Sequence, residues 1–320
     1  MGALSKTKFG LTSGILWALD TVILGIALGM SPYIDTVEAI AFGAIASSAL
    51  HDMFCAVWLF IYMGVRGRLK DTWRALRTRS GKVVVLGALL GGPIGMTGYV
   101  VAINNIGPGY TAIISAFYPA VGAILSYLIL KERMSAKQLV AFFCAMGGIV
   151  AMGVLSMTDA ETTGNAALGL VGAAACVIGW GSEAVLCGWG MKDDLVDNET
   201  ALQIRETTSG IVYAAVVLPA FGAWAFTASA VPSAATGVVA LAALAGTVSY
   251  LFYYKSISSP IGAAKSMALN ISYSAWAVLF AFLLQGTVPT AGSVVCCVVI
   301  LAGTILAASD WEDLFGRKGA

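Results

Sequence analysis

Long apolar runs are the feature that most constrains this chain. Residues 166–190 read AALGLVGAAACVIGWGSEAVLCGWG, with Glu183 as their sole formal charge. A helix crossing the hydrocarbon core of a bilayer needs about 20 mostly apolar residues. Runs of that kind recur at 9–30, 39–64, 83–103, 109–130, 139–157, 166–190, 201–224, 236–255, 261–284 and 290–309. In lipid the backbone must satisfy its own hydrogen bonds, which a helix does within one segment. The chain is 59% hydrophobic and 11% charged, against about 25% charged for a soluble domain. The expected fold is an all-α integral membrane protein of ten transmembrane helices. The first run resembles a signal peptide in following Lys6 and Lys8, but its length and Asp20 read as a first span.

Charge placement sets the expected orientation. Lys and Arg favour cytoplasmic loops. Lys6 and Lys8 precede span one. Arg66, Arg68, Lys70, Arg74, Arg77, Arg79 and Lys82 fill the connection after span two. Lys131, Arg133 and Lys137 follow span four, and Lys192, Lys255, Arg317 and Lys318 fall on the same side. The alternate loops hold no Lys or Arg, and the one near Asp159 and Glu161 is acidic. Both termini are therefore expected in the cytoplasm of a cell whose inner membrane holds the protein. The 66–82 stretch reads as a topology determinant at anionic headgroups. A net charge of +1 gives no field to attract nucleic acid.

The sequence also repeats itself. From Tyr99 it reads YVVAINNIGPGYTAIISAFYPAVGAILSYLILKE, and from Tyr253 YYKSISSPIGAAKSMALNISYSAWAVLFAFLLQG. LWALDTVILG from Leu16 lies over GWGSEAVLCG from Gly179, so Trp17 pairs with Trp180 and Asp20 with Glu183. Each half, 1–160 and 161–320, would hold five spans. Five is odd, so the second half would enter the membrane in the opposite sense. Such inverted repeats build transporters whose substrate site lies near the midplane.

Ten spans as five plus five resemble the drug/metabolite transporter superfamily in its EamA-type branch. The resemblance rests on Trp17 in an early helix, AINNIGPGYTAII before span four, Tyr118-Pro119 within it and LILKERMSAKQ after it. The overall pattern is similar to the YddG-type aromatic amino-acid exporters of bacterial inner membranes. The resemblance implies a secondary transporter that exports amino acids, aromatic ones included, by alternating access. A drug or other metabolite carrier on the same fold is the alternative. The second half departs from the family: Tyr273 stands where a Pro is expected and LLQGTVP replaces the Glu-Arg box, which leaves the symmetry of the two gating helices open.

Candidate site residues are those too polar for lipid. An acid or a cation at a helix centre costs about 2.5–3.5 kcal/mol or more, so Asp20 and Glu183 are expected either to line a wet cavity or to bond a facing helix. Trp17 and Trp180 lie deeper than the interfacial belt and offer faces to a flat or cationic substrate, or simply fill the core. Tyr99, Tyr118, Tyr250, Tyr253, Tyr254, Asn270, Tyr273 and Trp276 complete the expected wall, with Lys265 as a candidate carboxylate partner. His51, Asp52 and Glu183 are the candidate proton relay. His51 and Asp52 point about 100° apart on one helix and cannot form a simple pair. Arg205 and Lys265 are expected either to snorkel their charges toward the interface or to capture a substrate carboxylate. Pro119 should kink span four, and Gly107, Pro108 and Pro260 mark turns where gating motion would concentrate.

Gly87-x-x-x-Gly91-x-x-x-Gly95 reads as a close helix contact. It lacks the Lys and the βαβ context of a nucleotide loop, so neither ATP drive nor an ATPase subunit is indicated. The six cysteines, Cys55, Cys144, Cys176, Cys187, Cys296 and Cys297, lie in apolar runs without zinc spacing. No cofactor or metal is expected. One His and the absence of paired Ser/His or Asp/Asp motifs argue against an intramembrane enzyme, and the repeat argues against a non-transporting subunit. The expected partners are a small-molecule substrate and the lipid bilayer.

Overall fold

The computed structural model describes residues 3–155, 164–309 and 311. Asp159, Glu161, Arg317 and Lys318, which enter the orientation argument, lie outside the described residues. Among the described residues nine helices are long and apolar enough to cross a membrane. They are span one (Thr7–Leu28), two (Val37–Val65), three (Arg79–Gly107), four (Gly109–Leu130), five (Ala136–Leu155), six (Ala166–Gly190), eight (Ala234–Ile257), nine (Gly262–Gln285) and ten (Ala291–Ala308). Span seven is the helix Asn198–Val212, carried on by a π-helical turn Tyr213–Val217 and Leu218–Ala220. It fails the same apolar measure because Glu199, Arg205 and Glu206 lie in it, yet it packs inside the bundle against spans two, three and eight. It ends at Ala220 rather than near 224. Gly222 turns the chain at φ 67°, and Trp224–Ala230 forms a separate short helix.

Polar residues at loop ends start these helices. Thr36, Asn165, Asp197, Ser233 and Thr290 each accept a backbone N–H three residues on, which supplies one of the partners a helix N-terminus lacks. Large apolar side chains such as Val140, Phe143, Leu170, Val171, Leu283 and Val295 face outward, as a lipid-facing surface requires.

Several spans are broken, and the breaks come in pairs. Gly107 (φ 82°) separates spans three and four, and Gly262 (φ 78°) opens span nine. Both angles belong to the left-handed region that glycine enters without a Cβ penalty. Pro108 follows the first of these glycines, and Pro260 lies in the turn that leads into the second. Span four is interrupted at 116–117, and its second helix, Tyr118–Leu125, has Pro119 in its first turn. There the missing N–H costs nothing. Span nine is interrupted at 271–272 in the same manner without a proline. Its break is seated on span one, where the Asn270 amide donates to Ser13 Oγ at 3.2 Å and a side chain at Gly14 would strike Ser272. Span three carries a π-helical turn over Leu90–Met96 around Pro93.

Span one lies along span eight, and span three along span six. Spans two and seven pack together, as do five and ten. Glycines set how closely spans three and eight approach their neighbours. A methyl group at Gly87 would sit 3.0 Å from Cys187 Sγ, one at Gly95 2.9 Å from Trp180, and one at Gly91 would overlap the Glu183 carboxylate. On the other side, a methyl at Gly246 in span eight would lie 3.0 Å from Asp20 Oδ2 and 3.2 Å from His51 Nε2. The glycine stripe of span three and Gly246 of span eight are therefore the recesses into which Glu183 and Asp20 fit.

Candidate functional site

Spans one, two, three, four, six, seven, eight and nine surround a cavity of about 300 Å³. Its wall includes Trp17, Tyr99, Tyr118, Trp180, Tyr250, Tyr253 and Tyr273. Trp17 meets Tyr250 edge to face at 4.9 Å between ring centres. Trp180 lies 5.3 Å from Tyr99 and stands at 90° to Tyr118 at 5.7 Å. Aromatic pairs favour such offset and edge-on geometry, and the rings hold one another in place without a bound molecule. Asn270 joins the wall, and the Tyr118 hydroxyl donates to its Oδ1 at 3.4 Å.

A charged chain crosses the cavity floor. Asp20 of span one bonds His51 Nε2 of span two at 2.9 Å. His51 Nδ1 lies 3.5 Å from Asp52 Oδ1 and 3.7 Å from Cys55 Sγ. The Ser209 hydroxyl of span seven donates to Asp52 Oδ2. Arg205 Nη1 is 3.6 Å from that same oxygen. Arg205 Nε donates to Glu183 Oε1 at 2.9 Å and Nη1 to Glu206 Oε2 at 2.7 Å. Nη2 donates to the Tyr250 hydroxyl at 3.3 Å, and the guanidinium carbon sits 4.8 Å from the centre of the Tyr250 ring. The Tyr254 hydroxyl donates to Glu183 Oε1 at 3.1 Å. All of these carboxylates are buried, Glu206 completely. Low dielectric strengthens each such bond and raises the cost of an unpaired group.

The structure thus brings together Trp17, Asp20, His51, Asp52, Tyr99, Tyr118, Trp180, Glu183, Tyr250, Tyr253, Asn270 and Tyr273 around one space. Lys265 is a correction. It sits half-buried near the start of span nine and does not line the cavity, because its position one turn into the helix places it nearer the bundle end. Arg205 is the opposite correction. Instead of snorkelling it is 4% exposed and holds the centre of the network. Three carboxylates within reach, one from span two, one from span six and its own neighbour Glu206, outweigh the pull of the interface. Two adjacent charges set two turns into an apolar run were the signal that could have marked it. Ser209, Ser249 and Met96 carried no such signal.

The two ends of the bundle differ. The cavity lining runs to Leu28, Ala44 and Ile103, residues at one end of spans one to three. The other end is tied shut. Arg66 and Arg68 both bond Glu199 at the start of span seven, and Arg68 Nη2 bonds Asp197 at 2.6 Å. Glu132, after span four, accepts the backbone N–H groups of Ala263 and Ala264 at 3.0 Å each, the first turn of span nine. Burial pushes the Asp197 carboxyl up, but the Thr200 N–H and hydroxyl together with Arg68 outweigh it and hold the group below the ordinary carboxylate range.

The EamA-like transporter family matches residues 6–154. Protein LicB of Haemophilus influenzae is 28% identical over 283 residues, spanning 86% of this chain and 88% of LicB. A solved crystal structure shares the fold at a TM-score of 0.66 and 18% identity, covering 95% of this chain and 96% of that one. Residues 6–154 are thus similar to EamA-like transporters, and the chain as a whole has the fold of a multi-pass helical membrane protein.

Proposed function

We propose that the protein is a secondary transporter whose substrate is a small organic cation of the substituted ammonium class, moved by alternating access. The observation that carries this is the charge balance of the aromatic cavity. Among the described residues, Asp20, Asp52, Glu183 and Glu206 face Arg205 and His51 as bases, so even with His51 protonated the network has more acid than base. An ammonium ion would offset part of that excess, and the ring faces of Trp17, Trp180 and Tyr250 suit a weakly hydrated one. Cation–π contacts reach about 2 kcal/mol when desolvated.

Aromatic amino acids remain the second reading, favoured by the same Trp faces and by the sequence resemblance. Their carboxylate would need a cation, and Arg205, the Arg at the cavity, is already shared among acids.

The two halves are read as an inverted repeat. Span one on span eight and span three on span six are the same contact under exchange of halves. Gly246 faces Asp20 as Gly91 faces Glu183. His51-Asp52 in span two recurs as Arg205-Glu206 in span seven, so each half offers acid, base and acid. With the Lys- and Arg-rich loops in the cytoplasm of a bacterial cell, the tied end faces inward and the cavity faces out.

Counterflow in proteoliposomes tests the substrate class. Tetramethylammonium and larger quaternary amines should exchange, and aromatic amino acids should exchange weakly. Exchange of aromatic amino acids alone selects the second reading, and exchange of sugars or nucleotides alone defeats both.

A further inference from the structure

Arg205 occupies the best cation site in the cavity. Glu183 supplies a buried carboxylate oxygen 2.9 Å from its Nε, and Tyr250 supplies a ring face 4.8 Å from its guanidinium carbon. Tyr250 is in turn braced edge-on by Trp17. An acid beside an aromatic face is what an organic ammonium needs, and here the chain's own cation fills it.

The guanidinium also has somewhere else to go. It already bonds Glu206 Oε2 at 2.7 Å and lies 3.6 Å from Asp52 Oδ2. Glu206 Oε1 is buried and has no hydrogen-bond partner among the described residues. Leaving Glu183 would cost Arg205 one of three carboxylates, and a small rotation toward Glu206 would give a forked, two-bond pairing in its place.

We propose that Arg205 is a placeholder cation: substrate competes with it for Glu183 and the Tyr250 face, and on binding displaces it onto Glu206 and Asp52. This rests on the ammonium reading of the substrate. Arg205 is then a positioning residue that sets affinity and discriminates against weakly binding cations. Its displacement trades a tie between spans six and seven for one between seven and two, so occupancy of the cavity is felt in the packing of both halves.

The test is equilibrium binding of radiolabelled tetramethylammonium to the purified full-length protein. This probe has no N–H, so it reads charge and ring contact without hydrogen bonding. Arg205→Lys keeps the charge but cannot hold Glu183, Glu206 and the ring together. It should bind the probe about fivefold more tightly, the order of one net hydrogen bond released. Tyr250→Phe keeps the ring and removes the hydroxyl that accepts from Nη2, and it should tighten binding about threefold. This milder variant serves if Arg205→Lys fails to fold. Neither change should tighten binding in a Glu183→Gln background, where the contested carboxylate is gone. Weaker or unchanged binding in both variants, or a gain that persists with Glu183→Gln, overturns the placeholder while leaving the ammonium reading in place. No binding of the probe to the native protein overturns the ammonium reading itself, and the placeholder with it.

Discussion

Gly91→Ala should be among the most damaging single-methyl changes in the protein, and the reason is local. An added Cβ at Gly91 would overlap the Glu183 carboxylate and come 2.7 Å from Glu183 Cβ. Span three cannot withdraw easily, because Gly87 and Gly95 on the same face are also in contact with span six. Glu183 must therefore turn away, and in doing so it loses Arg205 at 2.9 Å and Tyr254 at 3.1 Å. Hydrogen bonds to a charged group contribute about 1.5–3 kcal/mol each. Arg205 keeps Glu206, which offsets part of the loss, and alanine regains about 1 kcal/mol of helix propensity. The net destabilisation comes to about 2–4 kcal/mol. Gly246→Ala, whose methyl would lie 3.0 Å from Asp20 Oδ2, asks for a shift of tenths of an ångström and should cost about 1 kcal/mol. Gly147→Ala and Gly237→Ala, with nothing within 4 Å, should be neutral or stabilising by up to about 1 kcal/mol. Equilibrium unfolding in mixed micelles would rank the four variants, with counterflow measured on each. If Gly91→Ala unfolds like Gly147→Ala, then Glu183 is not seated in the glycine recess and the reasoning from its partners is wrong.

Three further outcomes follow from the closed end and the topology. Glu132→Ala removes the acceptor of two backbone N–H groups at the start of span nine. It should raise the reactivity of a cysteine placed at Ala263 toward a membrane-impermeant reagent from the tied side, and unchanged reactivity would show that Glu132 does not hold that end. Because the Asp197 carboxyl is held below its ordinary range, its bond to Arg68 is intact at neutral pH and is lost as pH falls through that lowered value. Labelling at the tied end should thus rise on acidification, and this rise should vanish in Asp197→Asn. Single cysteines in 225–235 should label from outside the cell, and labelling solely from within would invert the proposed orientation.

Much of this architecture is determined by the sequence alone, because lipid removes alternatives. Uninterrupted apolar runs must be helices, so spans one to six and eight to ten were legible to within a turn or so at most ends. The Trp17–Asp20 and Trp180–Glu183 pairs were legible because acids are costly in apolar helices, and both acids do face the cavity. What a long polar side chain does inside such a helix depends on what the neighbouring helices present, and that only the tertiary structure decided. Arg205 and Lys265 looked alike as cations near helix ends. Three carboxylates drew Arg205 inward, while Lys265 stays off the cavity. His51 was expected not to pair with its neighbour Asp52, yet its Nδ1 lies 3.5 Å from Asp52 Oδ1 while Nε2 bonds Asp20 on another span at 2.9 Å. The break in span nine needs no proline because span one holds it. The glycines of span three announced close packing, but that Gly91 makes room for a carboxylate rather than a backbone required the partner helix to be in place. Periodicity and hydropathy are properties of one segment, whereas the pairing of buried charges is a property of several segments brought within a few ångströms of one another.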